Sequence, residues 1–173
     1  TGKHFTETLL YRDRLSEQLG LTDVRSLRPE PDALAREDPD GQLHQRDPDA
    51  CCGLRKARPL ARGLEGFRAW ITGRKRFQAS TRAGMPTIEF DDGRFKINPL
   101  ARWSAKAVER RFVERGLARH TLATVGYTSI GCAPCTGLPS SPDDPRSGRW
   151  AQSGKTECGI HSATWARSGP RSS

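Results

Sequence analysis

Five cysteines in 173 residues fall into a vicinal pair, Cys51 and Cys52, a C-x-x-C pair, Cys132 and Cys135, and a fifth, Cys158. Thiolates are soft metal ligands and strong nucleophiles, so four of one kind and one over suggests a ligand set plus a reactive thiol. With no secretion signal ahead of them, these cysteines point to a reducing cytosol, where thiols serve metals or catalysis more often than disulfides. The C-x-x-C lies in a loop with Gly131 and Pro134, which lets two thiolates converge on one centre. Alone, that pair serves equally as a zinc half-site or a thioredoxin-type redox pair, although no helix-opening context follows Cys135. Vicinal cysteines at a helix start diverge by about 100°, an angle that suits a bulky cluster better than a single zinc ion. Softness leaves zinc and iron–sulfur both open, and buried cysteines of no chemical role remain the plain alternative for Cys51 and Cys52.

Cys158 stands in Lys-Thr-Glu-Cys-Gly-Ile-His, next to a glycine and near the C-terminus. A thiol on an exposed segment can meet a substrate and then a partner protein, and Lys155 and His161 are placed to favour its thiolate. Taken by itself, it reads more readily as an exposed cysteine of no consequence. Arg146 and Arg149 form a possible clamp for an anion, because guanidinium groups match phosphate or sulfate oxygens. Lys56, four residues after Cys52, would sit on a neighbouring helical face and link the thiols to a bound anion. Arg76 and Arg82 in GRKRFQASTR are further candidates. A solvated charge is an equally ordinary reading for each of these cations.

Elements must position these groups. Phe5, Leu9, Leu15 and Leu19 recur at helical spacing, with Gly20 as the C-terminal glycine. Residues 24–27 read as a strand halted by Pro29 and Pro31. Residues 32–49, interrupted by Asp-Pro steps, read as a surface excursion with one short helix. Asp49 is the expected N-cap of a helix carrying Cys51, Cys52 and Lys56. Residues 67–71 read as a buried strand, and 87–97 around Asp91-Asp92-Gly93 as a hairpin. Ser104 caps a helix over 105–115 ended by Gly116, and from His120 onward the chain is mostly loop.

Apolar content is modest at 34%, with 17 Gly and 12 Pro, as in a loop-rich α/β domain. No run is long enough to span a membrane. The net charge of +9 favours polyanions. The basic residues are scattered, without a basic helix or an RNA-type aromatic motif, so a small phosphorylated or sulfated anion is preferred to nucleic acid.

Taken together, the segments resemble the assimilatory sulfonucleotide reductases, and among them the iron–sulfur adenylylsulfate (APS) reductases. The resemblance is carried by TGKHFTET at 1–8, CCGLRKARPL at 51–60, KINPLARW at 96–103, GYTSIGCAPCT at 126–136, RSGRW at 146–150 and KTECGIH at 155–161. It implies a Rossmann-like (adenine nucleotide alpha hydrolase-like) parallel sheet with flanking helices, plus a loop-rich C-terminal tail. Thr1 aligns with the end of a family strand, and the family's Ser-Gly-Gly-type nucleotide loop does not occur in the chain. The expected organisation is therefore a reductase domain over 1–166, incomplete at its N-terminus, and a disordered tail over 167–173.

The resemblance further implies a 4Fe–4S cluster on Cys51, Cys52, Cys132 and Cys135, and Cys158 as the nucleophile that takes the sulfo group from APS. Thioredoxin would be the reductant, and sulfite and AMP the products. Lys56, Arg146, Arg149, Arg76, Arg82 and His161 become substrate-site residues, in a cytoplasmic enzyme of sulfate assimilation without nucleic-acid or membrane partners. Phe77 and Ala79 depart from the family's polar residue and Ser, and Arg102 stands where Asp is more common. The alternatives are a reductase for the 3′-phosphorylated nucleotide (PAPS), which usually lacks both cysteine pairs, and an inactive metal-binding remnant.

Overall fold

Helix α1 (Thr6–Gln18) opens the computed structural model, which describes residues 1–141 and 143–161. The tail expected from residue 167 lies outside them. Gly20, at φ 60°, ends α1: its amide donates to the Glu17 carbonyl at 3.1 Å and that of Leu21 to Ser16 at 2.9 Å. This paired closure needs a left-handed residue, which glycine supplies without a Cβ penalty. The helix docks on residues 116–120, with the Tyr11 hydroxyl donating to the Ala118 carbonyl and the Gln18 amide to that of Gly116, both at 2.9 Å.

Residues 24–27 form no strand; Val24 and Leu27 are exposed and have no paired neighbour. Pro31 does not end an element but begins one, as the first residue of α2 (Pro31–Glu37), where its missing N–H costs nothing. The expected single short helix over 32–49 is instead three, with α3 (Leu43–Arg46) and α4 (Pro48–Cys52) following. The cap of α4 is Asp47 rather than Asp49. Its Oδ1 accepts from the amides of Asp49 and Ala50 at 3.0 and 2.9 Å, an Asp-Pro step serving as cap and first turn. Asp49 falls in that first turn, where a negative charge suits the helix dipole.

Cys51 and Cys52 end α4, which continues into a π turn, Gly53–Ala57, and then α5 (Arg58–Gly63). The wide turn carries Lys56. Inside it, Arg55 meets Asp38 at 2.5 Å, a buried pair that also holds the Thr1 carbonyl at 2.9 Å.

The sheet has the order β1-β3-β2, with β1 (Ala69–Ile71), β2 (Ile88–Asp91) and β3 (Arg94–Ile97). β1 pairs parallel with β3, setting Trp70 opposite Lys96, and β2 pairs antiparallel with β3. The fold is α/β as expected, with one parallel pair in a mixed sheet. Asp92 and Gly93 both take positive φ (51° and 73°), the two-residue turn that matches strand twist and makes the expected hairpin. β1 is shorter than 67–71 and not buried: Ile71 is 71% exposed. Its apolar run reflects one inward residue, Trp70, with its neighbours turned outward.

Ser104 caps α6 (Ala105–Glu114), its hydroxyl accepting from Ala107 at 3.1 Å. His120 caps the short α7 (Thr121–Thr124) through Nδ1. The buried apolar set is small: Cys51, Cys52, Leu54, Ala57, Met85, Ala101, Cys132 and Trp150. The core and the candidate site are thus largely the same place. Among the described residues no helix is long and apolar enough to cross a membrane.

Candidate functional site

The C-x-x-C loop is a 3₁₀ turn, Ala133–Cys135, whose Cys135 amide donates to the Cys132 carbonyl at 3.0 Å. Residues 3 and 4 pair with it: His4 bridges Cys132, and the Ala133 amide donates to the Lys3 carbonyl at 2.7 Å. Cys51, Cys52 and Cys132 are buried and Cys135 half-buried, and all are free thiols. Cys51 lies within electrostatic range of Cys132 and Cys135, so the two pairs face each other. Burial pushes the Cys52 thiol up to about 11, against the pull of Lys56 and Lys155. Neutral thiols in so apolar a place need a counter-cation before they ionise. Among the described residues, no three His, Cys, Asp or Glu side chains converge tightly enough to hold a single metal ion.

Lys56 joins these thiols to the fifth. Burial works against its charge, but Cys132, Cys158 and Cys52 outweigh burial and leave its pKa raised. Arg149 shares the neighbourhood: burial and Arg146 lower its pKa, while Cys158, Cys132 and Cys135 oppose them. Its Nε donates to the Cys135 carbonyl at 3.1 Å and an Nη to Ser129 at 3.4 Å. Room for that guanidinium depends on Gly131, where a Cβ would stand 2.2 Å from an Arg149 nitrogen.

Arg146 and Arg82 meet at Glu157, the residue before Cys158. Arg82 is bidentate, at 2.7 and 2.8 Å, and Arg146 reaches the same carboxylate at 3.3 Å. Arg76 stands apart, donating from Nε to the Met85 carbonyl at 2.8 Å. The His161 ring stacks on Trp70 with centroids 5.5 Å apart, and burial among Arg74, Lys96 and Arg82 lowers its pKa to about 3. So placed, it is neutral, and its Nδ1 is buried without a partner. Lys155 pairs with Asp49 and lies 5.8 Å from the Trp150 ring. The structure therefore brings Lys56, Arg149 and Cys158 together, and Arg82 with Arg146; Arg76 braces its own loop. A cavity of about 570 Å³ opens between residues 77–81 and 143–156, with Ser80, Thr81, Arg146, Arg149 and Lys155 in its lining.

Four participants escaped the sequence reading. Trp150 holds Arg149, Arg146 and Lys155 over its ring at 4.3, 5.8 and 5.8 Å, from a strained backbone at φ 50°. Glu157 gathers two of the candidate arginines. Trp70 and the buried Lys96, whose Nζ donates to the His161 carbonyl at 2.9 Å, hold the end of the same segment. The available signals were the Arg-Trp step for Trp150 and strand alternation around Lys96, opposite in phase to Phe95.

A family model, the phosphoadenosine phosphosulfate reductase domain, matches residues 1–138. A relative named adenosine 5′-phosphosulfate reductase, from Mesorhizobium japonicum, is 55% identical over 161 residues, covering 93% of this chain and 63% of its own length. Relatives of the same name from Chelativorans sp. and Mycobacterium tuberculosis are 47% and 42% identical, with 66% and 65% of their lengths covered. The chain thus spans about two thirds or less of these relatives. A crystal structure of phosphoadenylyl-sulfate (PAPS) reductase from Candida auris, in a phosphate complex, superimposes with a TM-score of 0.62 at 27% identity. That match covers 79% of this chain and 68% of the other.

Proposed function

This chain belongs to the phosphoadenosine phosphosulfate reductase domain family, and from that premise we propose that it carries the chemistry of thioredoxin-dependent APS reduction to sulfite and AMP. The observation that carries the reading is the electrostatic neighbourhood that Lys56 and Arg149 share with Cys158 and with thiols of both cysteine pairs, beside the hydrogen bond from Arg149 to the Cys135 carbonyl. The Cys158 thiolate attacks the sulfate sulfur of APS. A sulfur–sulfur bond forms, the sulfur–oxygen bond to the phosphate breaks, and AMP leaves with that electron pair. The S-sulfocysteine is then attacked at its Cys158 sulfur by a thioredoxin thiolate. Sulfite departs, and the second thioredoxin thiol resolves the mixed disulfide, so that thioredoxin is oxidised and Cys158 returns as a thiol.

A thiolate approaching a sulfate ester meets anionic oxygens, and cations around that ester lower the repulsion and stabilise charge growing on the leaving phosphate. Lys56 and Arg149 both interact electrostatically with Cys158, Arg146 lines the cavity, and Arg82 holds the neighbouring Glu157. The donor set fits a 4Fe–4S cluster: four free thiols, three of them buried, on two facing segments with Lys56 alongside. Cys51, Cys52, Cys132 and Cys135 would hold it, and when bound it supplies a fixed centre of charge that ties the α4 end to the 3₁₀ turn.

Sulfite release from APS with reduced thioredoxin tests the activity, and Cys158→Ser should abolish it while sparing visible absorption of anaerobically prepared protein. A colourless zinc protein sinks the cluster, and sulfite release by Cys158→Ser sinks the nucleophile. A strong preference for PAPS overturns the substrate.

A further inference from the structure

Three observations converge on the segment that bears the nucleophile. On one side of Cys158, the Glu157 carboxylate is held by Arg82, Arg146 and the Thr81 hydroxyl at 3.3 Å. Arg146 also donates to the Thr156 carbonyl at 2.9 Å, so both backbone and side chain of this stretch are gripped. On the other side, His161 lies flat on Trp70, and its carbonyl accepts from Lys96, which is 3% exposed and also paired with Asp91. Glu157 is itself only partly exposed, at 28% of its side chain, as are Arg82 and Arg146 at 14% and 16%, so solvent screens this triad weakly. Such a partly desolvated bidentate carboxylate is a strong contact, unlike the surface ion pairs elsewhere on the chain.

We propose that Glu157 is a positioning residue: its carboxylate, clasped by Arg82 and Arg146, latches the Cys158 segment shut over the site, with the Trp70–Lys96 seat for His161 as the second anchor. The role given to Cys158 rests on the reductase reading, but the latch does not. Attack on a bound ester requires the thiol to stay at the inner position; transfer to a partner's thiol requires it to leave. A latch of charge-assisted hydrogen bonds is made and broken as one unit, so the segment has two states rather than a continuum. Arg82 comes from the 3₁₀ turn Ser80–Arg82 and Arg146 from the loop before Trp150, so closing the latch also draws together the two walls of the cavity.

The test is the rate at which iodoacetamide, a neutral reagent, alkylates Cys158 in the full chain, read at that residue by peptide mass spectrometry without substrate. Glu157→Gln should accelerate labelling by about five- to tenfold, and Arg82→Gln by no more than that, because Arg146 still holds the carboxylate. The double variant should be no faster than Glu157→Gln alone, because the Arg82 contact is already lost there. Glu157→Asp, which keeps the charge, should recover most of the slow labelling. With APS, Glu157→Gln should lower kcat while KM changes by less than about twofold. Thermal melts, expected within a few degrees of wild type, separate a freed latch from an unfolded chain. Equal labelling in wild type and Glu157→Gln overturns the proposal, and so does additive acceleration in the double variant. A chain that labels as expected but releases no sulfite keeps the latch and loses the reductase reading.

Discussion

Arg149 donates from Nε to the carbonyl oxygen of Cys135, 3.1 Å away, so its guanidinium is tied directly to the backbone of the C-x-x-C turn. The Trp150 amide donates to the same oxygen at 3.2 Å. Gly131 makes this possible by leaving space beside the guanidinium. Gly131→Ala should therefore displace Arg149 while leaving the backbone in place, since the group that must yield is the end of a side chain. The expected result is a sulfonucleotide KM raised about tenfold, with a melting temperature within a few degrees of wild type. Steady-state kinetics beside a thermal melt checks it.

Gly148 gives the contrasting case. A Cβ there would stand 2.3 Å from the Gly137 carbonyl oxygen and 2.7 Å from that of Leu138, both backbone. The Gly137 amide donates to the Gly148 carbonyl at 2.7 Å, so these segments cannot part without losing their bond. Gly148→Ala should cost about 1–3 kcal/mol, seen as a lowered denaturant midpoint with an unchanged slope.

Asp38 and Arg55 predict an acid limb of stability. Burial works against the Asp38 charge, but the Leu43 amide and the Arg55 guanidinium overcome it and leave the folded pKa below its ordinary value. A depressed carboxylate stabilises the fold above its unfolded pKa of about 3.9 and loses that contribution as pH falls through the folded value. Melting temperature should therefore decline below pH 4, and the part due to Asp38 should vanish in Asp38→Asn. Asp38→Ala should cost about 3–5 kcal/mol at neutral pH, because it strands a buried guanidinium.

Trp150 makes a prediction about charge rather than bulk. With three cations around its ring, Trp150→Phe retains a weaker π face, while Trp150→Leu retains only volume. Sulfonucleotide KM should rise in that order, by about fivefold or more for Leu. Equal effects of Phe and Leu would mean that the indole acts through packing alone.

Much of this was legible where short-range rules govern. Gly20, Ser104 and the Asp92-Gly93 turn each act within a few residues, and each does what its local chemistry predicts. The strand read at residues 24–27 failed because a strand needs a partner, and Val24 and Leu27 have none. Asp49 lost the cap of α4 to Asp47 because the following proline fixes where the helix begins. In the site, the thiol spacing and the cations near it could be read from residue types. The pairing of Glu157 with Arg82 could not, because it joins positions 75 residues apart whose charges say nothing about which partner each will find.

The hairpin turn at Asp92-Gly93 acts as a ruler for the far end of the chain. Phe95 faces out and Lys96 faces in because the turn holds two residues and sets Phe90 against Phe95. One residue more or fewer would carry every side chain of β3 to the opposite face. Lys96 would then point to solvent and the His161 carbonyl would lose its donor, although Cys158, its arginines and the four thiols all remained intact. Insertions and deletions in this exposed turn, ordinarily among the best tolerated changes, are here a constraint on the register of a segment more than sixty residues away.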